Sequence, residues 1–260
     1  MRCVLLHRLR ADAYAVLRCV RWWILPVCVS AFYVLLFCAE LLSRRFGVGF
    51  LGDASENLIN CVLPAVPCIS FFACCGFSEI FKTIAELRAA YGFRENSAYT
   101  ESFLFCTCAA CASYLSAVAV CAAFGFIFGF GLNAVGWVGC AARGLAFAAT
   151  YCSVFSGAFC FRSVGAASLT CVGFVLFERC VLLTADVSEQ IFQSVGFGAP
   201  FVTVAALALR LAFPLGSLQF LVSGGTLYPV YALFAVAAAV AVRLLWKLSE
   251  NKIFKGKNLC

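Results

Sequence analysis

Charge is scarce in this 260-residue chain. Only 12% of its residues are Asp, Glu, Lys or Arg, about half the share of an ordinary soluble domain. There is one histidine, His7, which leaves histidine-based catalysis and zinc sites almost nothing to work with. His7 lies in a basic N-terminal segment and reads as a surface residue. The 12 acidic residues are too sparse to form a proton relay across a bilayer. No glycine loop of the form G-x-x-x-x-G-K-[ST] occurs, so no Walker-type nucleotide site is present. No soluble stretch is large enough for a nucleotide-binding or nucleic-acid-binding domain. Nucleic acid is not an expected partner, no cofactor or metal is expected, and an enzyme is disfavoured.

What the chain has instead is apolar surface. Its hydrophobic fraction is 64% and its mean hydropathy +1.01. A core of this length could not hide so much apolar area and leave a wettable exterior. Lipid must be the solvent, and the expected fold is an all-α polytopic bundle, one transmembrane domain over residues 1–260. A spanning helix needs about 20 mostly apolar residues. Six segments qualify: 22–42, 58–80, 103–130, 133–159, 164–183 and 227–245. A seventh stretch, 195–222, contains Pro200, Pro214, Arg210, Gly196, Gly198 and Gly216. Proline and glycine there break a regular helix, and it reads as two short helices dipping into the outer interface.

Lys and Arg set the orientation. Arg2, Arg8, Arg10, Arg18 and Arg21 precede the first span, and Arg243, Lys247, Lys252, Lys255 and Lys257 follow the sixth. Both termini then belong in the cytoplasm, which needs an even number of crossings through the cell (inner or plasma) membrane. Lys82, Arg88, Arg94 and Arg162 fall inside; Asp53, Glu56, Asp186 and Glu189 fall outside; Arg44 and Arg45 run contrary. The first span is too long for a secretory signal and reads as an uncleaved anchor. The net charge of +7 follows from the basic rim, which anionic membrane lipid attracts.

The 18 cysteines lie mostly within spans, where Cys behaves as a small apolar residue. Cys106, Cys108 and Cys111 form a C-x-C-x-x-C run that could suit a soft metal. No second pair of similar spacing accompanies it, so helix packing is the preferred reading, as it is for Cys74 and Cys75. Gly125, Gly129 and Asn133, and Gly139 and Arg143, recur at four-residue spacing, which lets helices approach closely in lipid. Ionisable residues inside spans are costly and default to functional candidates: Arg143, Glu178 and Arg179, with Glu40 and Glu79 at span ends. Arg143 and Glu178 could pair across neighbouring helices, as a structural ion pair or along a translocation path; Glu178 and Arg179 are expected in the outer half of span five.

On the cytoplasmic side, residues 4–21 read as an amphipathic interfacial helix ending at Trp22 and Trp23. The loop 81–102 carries Lys82, Glu86, Arg88, Arg94, Glu95 and Glu101, and residues 79–91 favour a short charged helix stopped by Gly92. This is either an ordinary solvated loop or a docking surface for a soluble protein. The sequence Leu9-Arg10-Ala11-Asp12-Ala13-Tyr14-Ala15-Val16-Leu17-Arg18, followed by Arg21-Trp22-Trp23, resembles the opening of the ABC-2 permease family, the membrane subunits of type-2 ABC exporters. The ending Leu248-Ser249-Glu250-Asn251-Lys252-Ile253-Phe254 is similar to that family's charged terminus. Before span three the family often has a Pro and a basic residue, and here only Arg94 stands there. The resemblance implies an ATP-driven permease with a separate soluble ATPase subunit, working as a homodimer or paired permease. Lys82, Glu86, Arg88, Arg94 and Glu95 would then form the ATPase-coupling loop. The competing readings are a membrane structural or assembly protein and a secondary transporter.

Overall fold

The computed structural model describes residues 20–47, 65–90, 98–128 and 134–194, with isolated positions at 10, 11, 14, 18, 204–206, 208, 237, 240, 241, 243–245 and 248. Among the described residues every regular element is a helix. Five follow in order: α1 (Val20–Arg45), α2 (Val66–Ala90), α3 (Ala98–Phe128), α4 (Ala134–Phe161) and α5 (Val164–Ser194). Four contain stretches long and apolar enough to cross a membrane: Trp23–Ser43, Val66–Thr83, Thr100–Ile127 and Val164–Ser188. The apolar run of α4, Gly144–Cys160, is shorter, although its 28 residues reach about 42 Å at about 1.5 Å per residue.

Contacts along the helices give their directions. Ser30 and Ser116 are hydrogen-bonded at 2.9 Å, and Phe37 stacks on Phe124 at 5.0 Å. Partners ascend together, so α1 and α3 run parallel. Tyr151 meets Glu178 while Arg162 meets Thr170, so α4 and α5 are antiparallel, as the two-residue joint 162–163 between them demands. The face of Gly144 meets Tyr114 and Cys152 lies near Cys108, which sets α4 antiparallel to α3. Cys74 meets Cys152 and Lys82 meets Arg162, so α2 runs with α4. The five helices therefore alternate in direction. Lys82, Arg162 and the start of α3 share one end, where the Arg243 guanidinium lies 5.3 Å from the Phe103 ring.

The bundle is apolar outside, and inside it mixes small and polar residues with the buried rings of Tyr33, Phe37, Phe147, Phe155 and Phe159. Phe126, Ile127 and Leu169 are more than 70% exposed. Inside, Cys106, Ala110, Ser113, Ala117 and Cys121 run down one stripe of α3 with no accessible surface. Small residues there let α2 and α4 close on α3, since packing and not hydrophobic burial joins helices in lipid. Phe71 fills the remaining gap between Phe155 and Phe159.

Helix ends differ from expectation more than helix positions do. The second span was expected to stop at Ile80, before a separate charged helix; α2 instead continues unbroken to Ala90. Its start follows Pro64, with Pro67 in the first turn where a missing N–H costs nothing. No glycine or proline lies between Phe77 and Tyr91, and Ala85-Glu86-Leu87-Arg88-Ala89-Ala90 are strong helix formers. Likewise α5 was expected to end near Leu183 and runs to Ser194, carrying Asp186 and Glu189 on the helix. The N-terminal interfacial helix, the outer broken helices and the sixth span fall mainly outside the described residues; the positions described within them are helical.

The closest approach is at Gly144, where a Cβ would lie 1.9 Å from a Tyr114 ring carbon. Gly to Ala inside a helix normally gains about 1 kcal/mol. Here overpacking costs about 1–3 kcal/mol or more, and the overlap dominates. Gly144→Ala is expected to lower the unfolding midpoint in detergent micelles, and Tyr114→Leu in the same chain is expected to recover part of the loss.

Candidate functional site

The interior polar groups cluster where α4 meets α2, α3 and α5. Tyr151 and Glu178 are both fully buried, and the Tyr151 hydroxyl donates to Glu178 Oε2 at 2.9 Å. Tyr151 lies ten residues before Phe161, so the pair sits about 15 Å from the basic end at about 1.5 Å per residue. That is about mid-depth in roughly 30 Å of hydrocarbon, and Glu178 itself lies 14 residues, about 21 Å, after Val164. Arg179, the next residue, points outward and is exposed.

The other expected site residues distribute as follows. Arg143 stands on α4 and Glu86 and Arg88 on the last turns of α2, but their side chains lie outside the described ones. The Arg143–Glu178 pairing therefore falls outside the described residues, as do Arg94 and Glu95 altogether. Lys82 is half-buried, and its Nζ donates to the Arg162 carbonyl at 3.2 Å. That bond ties α2 to the α4–α5 joint. Arg162 in turn reaches Thr170 Oγ1 at 2.6 Å. Glu40 and Glu101 are buried near opposite ends of the bundle, and Glu79 is exposed.

The C-x-C-x-x-C run does not act as a unit. Cys106 is buried, Cys111 is half-buried and Cys108 is exposed. The thiol of Cys106 instead meets Cys74 from α2, which also meets Cys152 from α4. Among the described residues no group of three or more His, Cys, Asp or Glu side chains could hold a metal ion, and every cysteine whose side chain is described is a free thiol. The three thiols act as small side chains at a three-helix contact.

Hydroxyls around them mostly bond within their own helices. Ser113 donates to the Ala109 carbonyl at 2.8 Å, Thr150 to that of Ala146 at 2.9 Å, and Ser153 to that of Thr150 at 2.6 Å. Ser156 donates to the Cys152 carbonyl. Such back-bonding satisfies a hydroxyl without linking helices. The exceptions are Ser70 Oγ and Thr107 Oγ1, which are buried with no hydrogen-bond partner. The Tyr151–Glu178 bond is thus a specific polar link between helices, and it can hold α4 and α5 in register.

Sequence reasoning singled out Glu178 but missed Tyr151. The signal was present: Thr150-Tyr151-Cys152-Ser153 is a polar island in an apolar run, and a buried Tyr hydroxyl ordinarily finds a partner. Removing the phenol by Tyr151→Phe is expected to cost about 1 kcal/mol. That value lies between the average of about 0.6 kcal/mol for side-chain hydrogen bonds inside membrane proteins and about 1.5–3 for bonds to charged groups. A double-mutant cycle with Glu178→Met, which removes the acceptor at similar volume, read by unfolding in micelles, should show coupling between the two positions; strict additivity would mean the bond contributes nothing.

No protein-family model, curated protein or solved structure matches this chain.

Proposed function

We propose that this chain is the membrane-spanning subunit of an ATP-driven exporter of the ABC-2 type, with six spans and both termini in the cytoplasm. ATP hydrolysis belongs to a separate soluble subunit, and two permease units line the path. The observation that carries this reading is the unbroken course of α2. It leaves its membrane-crossing stretch at Thr83 and continues to Ala90, a projection of about 10 Å at about 1.5 Å per residue. A stiff helix end is a better lever than a flexible loop. Lys82 links that lever to the α4–α5 joint through Arg162, so a push on Glu86 and Arg88 would reach two further helices. Rocking of helix bundles driven by such a push is a recognised mode of domain motion.

A second reading, secondary transport without an ATPase, is favoured by one observation: Glu178 is buried at the α4–α5 contact. Intramembrane carboxylates commonly mark ion pathways. The two readings part at the α2 projection, which only the first gives a partner.

The test is affinity purification of the tagged chain from its native membrane. A soluble ATPase is expected to co-purify, and reversing Glu86→Lys and Arg88→Glu together should weaken its retention while membrane insertion is unchanged. Exposed charge pairs are worth only about 0.2–1 kcal/mol each, which is why both are reversed. Purification without any ATPase would overturn the permease reading.

A further inference from the structure

We propose that the outward face of α5 docks one transmembrane helix of another membrane protein, and that this helix carries an Asp or Glu opposite Arg179. The inference is independent of the transport reading. Among the described helices, α5 packs on α4 and more lightly on α2. Leu169, Leu176 and Leu183 recur every seven residues on its exposed side, with Val172 and Arg179 between them at three- and four-residue steps. That is the a and d spacing of a left-handed helix pair, the prevailing geometry of transmembrane bundles. The seam runs about 21 Å at about 1.5 Å per residue. Lipid tails need no such spacing.

Arg179 decides what must meet that seam. It is exposed inside the membrane-crossing stretch Val164–Ser188, about 22 Å after Val164. Among the described residues its guanidinium has no hydrogen-bond or ion-pair partner. The Tyr151 phenol, already bonded to Glu178, is close enough only to feel its charge. A cation turned to hydrocarbon is costly. Escape to the nearer headgroups, at the Ser188 end, runs against the helix. Side chains lean toward a helix N-terminus, so Arg179 leans away from that end and toward mid-depth.

Charge complementarity then names the partner, because this chain offers no carboxylate at that depth. No Asp or Glu occurs between residues 190 and 249, so the sequence following α5 cannot supply one. A second copy does no better. In an α5–α5 pair about a two-fold axis along the membrane normal, Arg179 would face Arg179. Glu40 and Glu178 are buried. Glu79 is exposed but stands about 6 Å from the Thr83 end of its span, about 16 Å short of Arg179. Asp186 lies about 10 Å farther along α5. The other acids stand at helix ends, in joints or near the termini. The carboxylate therefore belongs to a different protein.

The test uses the full-length protein in phosphatidylcholine vesicles with synthetic transmembrane peptides. Each is a Lys-flanked Leu-Ala helix of about 20 residues, with Glu, Gln or Leu at its centre beside a photoreactive diazirine residue. Cross-linked sites are mapped by mass spectrometry. The Glu peptide is expected to label the α5 seam at Leu176 and Leu183 about fivefold more than the Gln or Leu peptide, the factor for one interhelical polar contact in lipid. Labelling of the exposed α1 face at Phe32 and Leu35 should be the same for all three. Arg179→Met should remove the preference at α5, Arg179→Lys should keep it, and Arg179→Glu should transfer it to a peptide with Lys at its centre. Unchanged α1 labelling verifies that each variant is folded. Equal labelling by the three peptides, no labelling of α5, or a Glu preference that survives Arg179→Met would overturn the proposal. Efficient oxidative cross-linking of the exposed Cys180 between two copies in peptide-free vesicles would overturn it in favour of a second copy.

Discussion

Hydrocarbon offers no hydrogen bonds, and the rest of this structure depends on that constraint. Each backbone N–H and C=O at membrane depth must be satisfied within the protein, at a cost of several kcal/mol for each failure. Long helices satisfy it locally, and every described element is one. The same constraint acts on side chains. Interior hydroxyls at Ser113, Thr150, Ser153 and Ser156 turn back to their own carbonyls, and the Tyr151 phenol finds a carboxylate. The bundle accordingly keeps these polar atoms inside, among the buried rings of Phe37, Phe147, Phe155 and Phe159, and turns further apolar side chains such as Phe126, Ile127 and Leu169 to the lipid.

With apolar surface equally content in lipid and in protein, close approach must hold the helices together. The α3 stripe from Cys106 to Cys121 and the contact of Gly144 with Tyr114 provide it. Cysteine serves one such contact: Cys74, Cys106 and Cys152 meet where alanine-sized side chains are needed. Where close approach fails, between α1 and α2, the described residues leave an apolar cleft lined by Cys28, Phe32, Cys68 and Phe72. Tight and loose contacts on α3 therefore come from the same cause, the size of the residues at each crossing.

The middle of each described helix was legible in the sequence, because hydropathy reports where a chain meets hydrocarbon. Helix ends were not. Lys82, Glu86 and Arg88 are charged, so hydropathy stops the second span before them, whereas the helix itself continues to Ala90 because nothing in its composition breaks it. The candidate site was half legible. A charge such as Glu178 stands out in an apolar run, but its partner depends on how α4 is rotated and how deep α5 sits, and periodicity alone does not give either. The Cys106–Cys108–Cys111 spacing likewise drew attention along one helix, while the contact that formed joins Cys106 to Cys74 and Cys152 on two others. Cross-helix neighbours are a property of assembly.

Alternation of the five helices, with Arg243 returning to the end that holds Lys82, Arg162 and Phe103, is the basis of the proposed even number of crossings. The most direct measurement is a topology map from reporter domains fused after Asp53, Arg94, Glu189 and Cys260, scored for exposure on either side of the membrane. The account predicts external signals at Asp53 and Glu189 and cytoplasmic signals at Arg94 and Cys260. A cytoplasmic signal at Glu189, or an external one at Cys260, would contradict it.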